Sequence, residues 1–322
     1  MQLLFLMHQI CPIYFAILLL QYNKGGVCGM DELKFVSEDV EKILDDIKKE
    51  AKECNGVTGL ASGFHNLDRL IGGFQPGLIL VAGRPAMGKT AFALNMIQHV
   101  AFREKKHVAL FSLEMSKEQM IRRLLAYEAN LYPRILRNGQ NLEAEEWEPL
   151  LKAACTIKEA KLYIDDTPAL YVDELCKKCR RANMEMHLDL IVIDYLQLLS
   201  FEGAVTREQE EEKIVRVLKN LARELGVPIV VLGQVLKSVE NREDHRPLLF
   251  DLRNKDALVR AADVILFLYR DAYYHFQSKE GELAEIIVAK NRNGYIGTAK
   301  LMWTPEYARF ENLEEEKKKC EE

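Results

Sequence analysis

The sequence has no excess of basic residues, no disulfide-like arrangement of cysteines and no internal repeat. Its 322 residues include 44 Lys and Arg against 49 Asp and Glu, which gives a formal net charge of −5. Because neutralising phosphates requires clustered basic side chains, this balance excludes a protein whose whole surface coats nucleic acid, and any such contact must be local. Seven scattered cysteines exclude a disulfide-stapled framework and fit a reducing compartment, with the cytoplasm as the default expectation.

One pair of cysteines, Cys176 and Cys179, has the C-x-x-C spacing of some zinc and redox sites. Neither a second pair nor a histidine lies at the spacing that metal ligands need. The surrounding letters, ELCKKCRRA, are typical of a solvated helix. We therefore expect no metal-binding or redox role for this pair.

The amino terminus contains a long apolar stretch, which runs from Leu3 to Leu20 without a Lys or Arg. A short membrane span or the apolar part of a signal peptide would have this composition. No positive segment precedes the stretch, however, and three residues interrupt it, namely His8, Gln9 and Pro12. Met30 opens a charged sequence typical of a soluble start, so residues 1–29 are expected to be a segment of doubtful role without a membrane anchor.

A short amphipathic helix is predicted within residues 30–55. Between Ser37 and Lys52, apolar side chains recur at helical spacing among many charges, at Val40, Ile43, Leu44, Ile47 and Ala51. The spacing leaves two interpretations of this apolar stripe open. Either the stripe packs on its own domain, or it docks on a neighbouring subunit.

Residues 56–313 are predicted to form one α/β domain, followed by a charged tail at 314–322. With 48% hydrophobic residues, the chain can bury the core of one large domain. Nearly continuous apolar runs alternate with helical ones and predict a mostly parallel sheet flanked by helices; the runs are LILVAG, HVALFSL, LIVIDYLQLL, PIVVLG and DVILFLYR. Two later runs lie so close together that the sheet is expected to end in antiparallel hairpins, AEIIVAK and TAKLMW.

The strongest motif is G-x-x-x-x-G-K-[ST], which runs through Gly83, Arg84, Pro85, Ala86, Met87, Gly88, Lys89 and Thr90. It follows an apolar strand and precedes a helix, as a phosphate-binding loop must. In such a loop, backbone amides point at phosphate oxygens, Lys89 reaches the β and γ phosphates, and the Thr90 hydroxyl holds Mg²⁺. The motif therefore predicts a bound nucleoside triphosphate with Mg²⁺.

Three further polar residues end apolar strands. Asp194 ends LIVID, where phosphoryl transfer needs a second carboxylate for the metal and where an unpartnered buried charge would be costly. Glu114 ends HVALFSLE, immediately before a capping-box sequence that starts at Ser116, and is predicted to be the base or positioner of water. Ligands of open α/β sheets lie at strand carboxyl ends, so both carboxylates are expected beside the phosphate loop. Gln234 ends PIVVLGQ, and either sensing the γ phosphate or forming a turn would explain it.

Several runs together resemble, in this order, the motor domain of DnaB-type replicative helicases: GRPAMGKT, FSLEMS, IDYLQLL, DLRNKDALVRAADVILFLYRD and AKNRNGYIGTAKLMW. The resemblance covers residues 36–312. The phosphate loop also occurs in RecA, RadA and KaiC relatives and identifies only the superfamily, whereas SLEM, DYLQ, the DLR stretch and KNRNG discriminate. The fold that this resemblance implies is a RecA-like P-loop NTPase core.

The resemblance also implies roles for single residues. Glu114 matches the family's catalytic glutamate, Asp194 its Walker B aspartate and Gln234 its sensor glutamine. Lys290 and Arg292 match a basic pair that a neighbouring subunit inserts into the ATP site, where the arginine offsets charge on the transferred phosphoryl group. The implied cofactors are ATP and Mg²⁺, bound at a site shared between subunits.

For DNA, the resemblance implies a central-channel loop in which Arg253, Asn254 and Lys255 touch the backbone of a single strand. The sequence departs from the family here, because Asp256 stands at a glycine-like position and would repel phosphate. Lys255 is expected to compensate for that charge. The stretch from Phe201 to Arg207 is a candidate second channel loop.

Taken together, the resemblance implies an ATP-dependent DNA helicase of replication that moves 5′ to 3′ on single-stranded DNA as a ring, expected to be a homohexamer. Two alternatives stay open, a RadA-like recombination ATPase and a truncated helicase-binding protein without unwinding activity. About thirty mostly apolar residues stand where the family has an amino-terminal helical domain that holds primase. A primase or loader partner is therefore in question.

Overall fold

The computed structural model describes residues 40, 43–45, 47–48, 56–138, 142–275 and 281–313. It divides the chain into two units, 1–54 and 55–322, and the fold described below is that of the second. Within the described part of the chain, every helix is too short or too polar to span a bilayer.

The amino-terminal predictions are tested only at a few positions. Residues 1–29, most of 30–55 and the tail 314–322 lie outside the described residues. The described residues between 40 and 48 are helical, and the apolar ones among them are exposed, namely Val40, Ile43, Leu44 and Ile47. The helical spacing agrees with the prediction, and both interpretations of the stripe stay open.

A sheet of nine strands organises the described residues of the second unit. The strands are β1 Gly77–Gly83, β2 Val108–Ser112, β3 Leu162–Asp165, β4 Leu190–Asp194, β5 Pro228–Gln234, β6 Val264–Arg270, β7 Leu283–Asn291, β8 Gly297–Thr304 and β9 Arg309–Glu311. Their order is β3-β2-β4-β5-β1-β6-β7-β8-β9. The six strands from β3 to β6 are parallel, and β7, β8 and β9 follow as antiparallel hairpins. The predicted mostly parallel sheet with antiparallel hairpins at its end is confirmed.

Helices connect and cover these strands. In the described residues they are α1 His65–Ile71, α2 Lys89–Ile97, α3 Lys117–Ala129, α4 Pro133–Asn138, α5 Ala144–Glu159, α6 Val172–Met186, α7 Arg207–Leu225, α8 Lys255–Ala261 and α9 Asp271–Tyr274. A π-helical turn, Gln98–Arg103, continues α2. α3 begins with the predicted capping box, in which the Ser116 hydroxyl accepts from the Gln119 amide and the Gln119 side chain accepts from the Ser116 amide.

Burial on both faces explains the continuous apolar runs of the parallel strands. All seven residues of β1 and all five of β4 are buried. Because successive side chains of a strand point to opposite faces, Ile79 packs in one core with Phe92 of α2, whereas Leu80 packs in the other with Leu218 of α7. The strands are thus buried on both faces. Their carboxyl ends lie at one edge of the sheet, so residues at the ends of different strands lie near one another there.

Two parts of this fold differ from the sequence-based expectation. Strand β3 lies at the sheet edge with no buried residue, and β9 has only three residues, so neither has an apolar run to mark it. The helix around Cys176 and Cys179 is α6, but both cysteines face the core and are buried instead of solvated. Burial raises the pKa of Cys176 to about 11 and that of Cys179 further, so both stay protonated thiols.

Candidate nucleotide site and DNA-contact loops

The phosphate loop connects β1 to α2 at the carboxyl edge of the parallel strands. Gly88, the residue before α2, has a φ of 95°, a left-handed conformation that favours glycine. A Cβ atom there would lie 2.9 Å from a ring carbon of Phe310 and 3.1 Å from one of Trp303. The second glycine of the motif is therefore required by both backbone conformation and space.

Lys89 lies inside the loop that it serves. Its Nζ donates to the carbonyl oxygens of Gly83 and Arg84, each at 3.0 Å. Burial lowers the pKa of Lys89 to about 8, while the carboxylates of Asp194 and Glu114 oppose that shift. The ammonium thus has an incomplete set of acceptors in a poorly solvated place, and a bound phosphate would favour its charged form.

Asp194 and Thr90 meet at the end of β4. The Thr90 hydroxyl donates to Asp194 Oδ2 at 2.8 Å, and Asp194 is 3% exposed. Burial raises the pKa of Asp194, the Thr90 hydrogen bond and the charge of Lys89 lower it, and the charge of Glu114 raises it further. The Leu113 amide donates to the Asp194 carbonyl at 2.7 Å, so the ends of β2 and β4 are held side by side.

Glu114 and Gln234 complete the cluster at this edge. Glu114 is exposed in the turn between β2 and α3. It is close enough for its charge to raise the pKa of both Lys89 and Asp194. Gln234 is the exposed last residue of β5 and pairs in register with Gly83, the first residue of the loop. Five predicted residues from four separate segments therefore lie at the same edge of the sheet.

The donor set beside the phosphate loop fits Mg²⁺. Magnesium prefers oxygen ligands, and the Thr90 hydroxyl and the Asp194 carboxylate supply them on the side of the loop that faces Glu114. In the described ranges, no group of three or more His, Cys, Asp and Glu side chains is arranged to hold a metal ion by itself. A metal here would thus complete its shell with phosphate oxygens and water, as Mg²⁺ does in nucleotide sites.

Lys290 and Arg292 lie at the opposite edge of the sheet from the phosphate loop of their own chain. Strand β7 is antiparallel to β6, and its last residue, Asn291, pairs with Val264, the first residue of β6. Val264 in turn pairs with Ile79 of β1, so this position lies about 13 Å along the strand direction before Gly83, where the phosphate loop begins. Within one chain, the basic pair does not meet the cluster of polar residues beside the phosphate loop.

The carboxyl end of α8 holds this basic pair. Lys290 Nζ donates to the carbonyl oxygens of Val259 and Ala262. The Arg292 guanidinium donates to the Arg260 carbonyl, and the Arg292 amide donates to the Asp263 carbonyl at 2.9 Å. Burial lowers the pKa of Lys290, and the nearby Arg292 lowers it as well. Cations at the carboxyl end of a helix satisfy carbonyl groups that have no partner within the helix.

The predicted DNA loop lies at the start of α8 and is supported by a hydrogen bond to α7. Arg253 and Lys255 are exposed, whereas the Asn254 side chain donates to the Glu208 carbonyl at 2.7 Å. The loop begins beside the end of β5, where Val235 pairs with Leu252. The structure therefore leaves the two cations of the loop free to face a ligand, while the amide of Asn254 ties the loop to α7.

The candidate second loop, from Phe201 to Arg207, is fixed to the same end of α7. The Phe201 amide donates to Glu210 at 2.9 Å, and the Arg207 guanidinium donates to Glu210 and to the Gln197 carbonyl. Nearby, Glu211 is 1% exposed, and burial raises its pKa while the charges of Arg253 and Arg207 lower it. Both loops thus share one support at the start of α7.

Residues 59–312 match the family described as DnaB-like helicase C terminal domain. The chain belongs to this family.

Relatives of this DnaB-like domain include two bacterial helicases. Replicative DNA helicase DnaB of Geobacillus stearothermophilus is 44% identical over 284 residues, which are 87% of this chain and 62% of that protein. Replicative DNA helicase DnaC of Bacillus subtilis (strain 168) is 45% identical over 282 residues, again 87% of this chain and 62% of the relative. The chain therefore spans about 62% of the length of these relatives.

Solved structures agree with this assignment. One of them, described as an ATPase domain, superimposes with a TM-score of 0.80 at 36% identity, covering 85% of this chain and 99% of that domain. A DnaB-like replicative helicase, described with its interactions with primase, gives a TM-score of 0.79 at 34% identity over 87% of this chain and 71% of its own. The RecA-like fold implied by the sequence resemblance is confirmed.

Two residues near the phosphate loop of this DnaB-like domain were not singled out by the sequence. Arg270 donates to the Ala86 carbonyl at 2.5 Å and lies 4.3 Å from the centroid of the Trp303 ring. Arg123, in α3, lowers the pKa of Asp194 through its charge. Arg270 is the last residue of β6, so the strand-end rule would have found it. Arg123 lies inside a helix and has no local signal.

Proposed function

We propose that the chain is an ATP-dependent DNA helicase motor of replication that moves 5′ to 3′ along single-stranded DNA and hydrolyses ATP between the subunits of a ring. The observation that carries the proposal is that Lys290 and Arg292 lie toward the amino ends of the parallel strands, whereas the phosphate loop lies at their carboxyl ends. A basic pair at that edge serves an ATP site only if the site belongs to another copy. Family membership supports the same arrangement.

In the proposed reaction, most of the site comes from one chain. The amides of the phosphate loop and Lys89 bind the β and γ phosphates, and Gln234 contacts the γ phosphate beside Gly83. Glu114 orients the attacking water and accepts its proton, a role that suits an exposed carboxylate next to a cation. The γ phosphoryl group then passes to water, and ADP is the leaving group.

Thr90 and Asp194 would hold Mg²⁺ through their oxygen atoms, and the bound metal would neutralise charge on the β and γ phosphates. The buried carboxylate of Asp194 needs such a partner, because an ionised group without one is costly at 3% exposure. The raised pKa of Asp194 agrees with that cost.

A neighbouring subunit completes the proposed site. Its Arg292 offsets the charge that develops on the transferred phosphoryl group, and its Lys290 adds a second positive charge nearby. Arg292 is 47% exposed on the side chain, so it is accessible to another chain. The contact joins two different surfaces, the one with Lys290 and Arg292 and the one with the phosphate loop. Repetition of such a contact forms a ring when its rotation closes and an open filament when it does not, and we propose the ring.

The link to DNA runs through the end of β5. Gln234, proposed to contact the γ phosphate, is followed by Val235, which pairs with Leu252 immediately before Arg253. Loss of the γ phosphate would thus remove a contact of Gln234, and the residue after Gln234 pairs with the residue immediately before Arg253. Arg253 and Lys255 are proposed to bind DNA phosphates, while Asn254 holds the loop in place.

The proposal requires single-stranded DNA and further copies of the chain as partners, and it does not require primase or a loader. Neither the RadA-like ATPase nor the binding protein without unwinding activity draws support from the relatives above. The cytoplasm is the proposed compartment, which the buried free thiols of Cys176 and Cys179 support.

A forked-substrate unwinding assay tests the proposal, with the free tail on either strand. We expect unwinding only when the tail of the bound strand has a 5′ end, and we expect Lys89→Ala to abolish it, because this change removes the phosphate-binding ammonium. DNA should also raise the ATPase rate of the wild-type protein. Absence of a ring in the presence of nucleotide, together with an ATPase rate that ignores DNA, would contradict the proposal.

A further inference from the structure

Phe250 is an aromatic side chain displayed at the surface, next to the predicted DNA loop. It is 55% exposed, and it is the one phenylalanine among the described residues that is exposed. It belongs to the short 3₁₀ turn Leu249–Asp251, directly before Leu252 and Arg253. Two other apolar side chains near it along the chain are exposed as well, Leu236 and Leu248.

One face of the phenyl ring lies against an arginine. The Arg242 guanidinium lies 5.1 Å from the centroid of the Phe250 ring, a cation–π contact on one face. Arg242 in turn donates two hydrogen bonds to the carboxylate of Asp251, at 2.9 and 2.8 Å, and Asp251 is 1% exposed. The turn is therefore anchored in the interior, and one face of the phenyl ring is backed by a cation while much of the side chain is open.

The surroundings of Phe250 suit a polyanion with apolar faces. Arg253 and Lys255 are exposed on the same loop, and Lys237 is exposed at the end of the segment whose Leu236 amide donates to the Asp251 carbonyl. Cations that can reach phosphates beside an aromatic ring that can stack on a base are the combination by which proteins hold single strands without sequence preference. Double-stranded DNA hides its base faces, so the phenyl ring has no comparable partner there.

We propose that Phe250 is a stacking platform for a base of single-stranded nucleic acid, backed by Arg242 and positioned by Asp251. The proposal rests on the proposed DNA-binding role of the Arg253 loop and adds a base contact to its phosphate contacts. The proposed ligand of this surface is a single strand of nucleic acid. The experiment must distinguish it from the alternative, a neighbouring subunit that covers Phe250.

Fluorescence anisotropy with two labelled strands tests the idea, using the subunit ring assembled with Mg²⁺ and a non-hydrolysable ATP analogue. One strand is oligothymidylate, and the other is an abasic strand of equal length that keeps the phosphates. We expect Phe250→Ala to weaken binding of oligothymidylate at least about tenfold, because each subunit that contacts the strand loses one stacked base, and to leave the abasic strand unchanged. Leu248→Ala is the matched control, because Leu248 is a neighbouring apolar side chain with 45% exposure, and it should change neither affinity.

A second variant reads the stacking directly. Phe250→Trp should retain the affinity for oligothymidylate, and its indole fluorescence should be quenched by that strand but not by the abasic one. Equal losses on both strands, or no loss on either, would overturn the inference. A Phe250→Ala protein that no longer assembles into a subunit ring would overturn it too, since the Phe250 side chain would then be a contact between subunits.

Arg253→Ala separates this inference from the proposed function. Loss of a phosphate contact should weaken both strands and reduce the salt dependence of binding. If Arg253→Ala has no effect while Phe250→Ala weakens only oligothymidylate, the loop assignment fails and the stacking role survives. If Arg253→Ala weakens both strands and Phe250→Ala weakens neither, the stacking role alone fails.

Discussion

At the scale of single residues, Lys89 has a property that its motif does not reveal. Its ammonium group lies among carbonyl oxygens, and burial brings its pKa to about 8. A bound triphosphate favours the charged form, so nucleotide binding above that pKa must take up a proton. The affinity for nucleotide should therefore be full below pH 8 and fall as the pH rises through it.

Titration of a fluorescent ATP analogue between about pH 7.5 and 9.5, where the nucleotide itself is fully ionised, measures this dependence. Lys89→Arg is the control, because a guanidinium stays charged throughout this range. The variant should bind with an affinity that changes little with pH. A wild-type affinity that stays constant across the range would contradict the lowered pKa of Lys89.

At the scale of elements, burial decided which parts of the fold could be read from the sequence. Strands β1 and β4 are covered on both faces and appear as apolar runs, whereas β3 buries no residue and β9 is too short for a pattern. The cluster around Lys89, Glu114 and Asp194 followed from the phosphate-loop motif together with the strand-end positions of the two carboxylates. The position of Arg292 could not be predicted in this way. It depends on strand β7 running antiparallel to β6, which places Arg292 toward the amino ends of the parallel strands.

The turn that supports the DNA loop depends on the ion pair between the buried Asp251 and the half-buried Arg242. Asp251 accepts two hydrogen bonds from the Arg242 guanidinium and one from the Leu248 amide. Arg242 keeps Asp244 and the Arg246 carbonyl as partners, so the loss is that of the hydrogen bonds to Asp251, and Asp251→Ala should lower the free energy of unfolding by about 2 kcal/mol. It should also weaken binding of single-stranded DNA, because the loop from Phe250 to Lys255 loses its anchor, while nucleotide affinity is retained.

Urea unfolding and DNA anisotropy measure the two effects. Asp256→Asn is the matched control, since Asp256 is an exposed acidic residue of the same segment, and its free energy of unfolding should stay within about 0.5 kcal/mol of wild type. An Asp251→Ala protein with wild-type stability would show that the ion pair does not brace the turn.

At the scale of the whole molecule, the chain carries the two halves of its proposed catalytic site on opposite edges of one sheet. Lys89, Thr90, Glu114 and Asp194 lie at the carboxyl edge, and Lys290 and Arg292 at the other. No local motif specifies this arrangement, because it depends on the direction of β7. A chain built in this way is expected to be inactive as a monomer and active in a ring.

Mixed rings test this arrangement. Lys89→Ala subunits lack a working phosphate loop but keep Arg292, whereas Arg292→Ala subunits keep the loop and lack Arg292. A ring made of either variant alone should therefore be inactive. In an equal mixture, about a quarter of the interfaces join an intact loop to an intact Arg292, and the ATPase rate should recover to about that fraction of wild type if sites act independently. Lys89→Ala mixed with Glu114→Gln is the matched control. Both changes lie in the same half of the site, so no interface is complete and no activity should return. If the first mixture is as inactive as the control, although light scattering shows rings of normal size, Arg292 does not act on a neighbouring subunit.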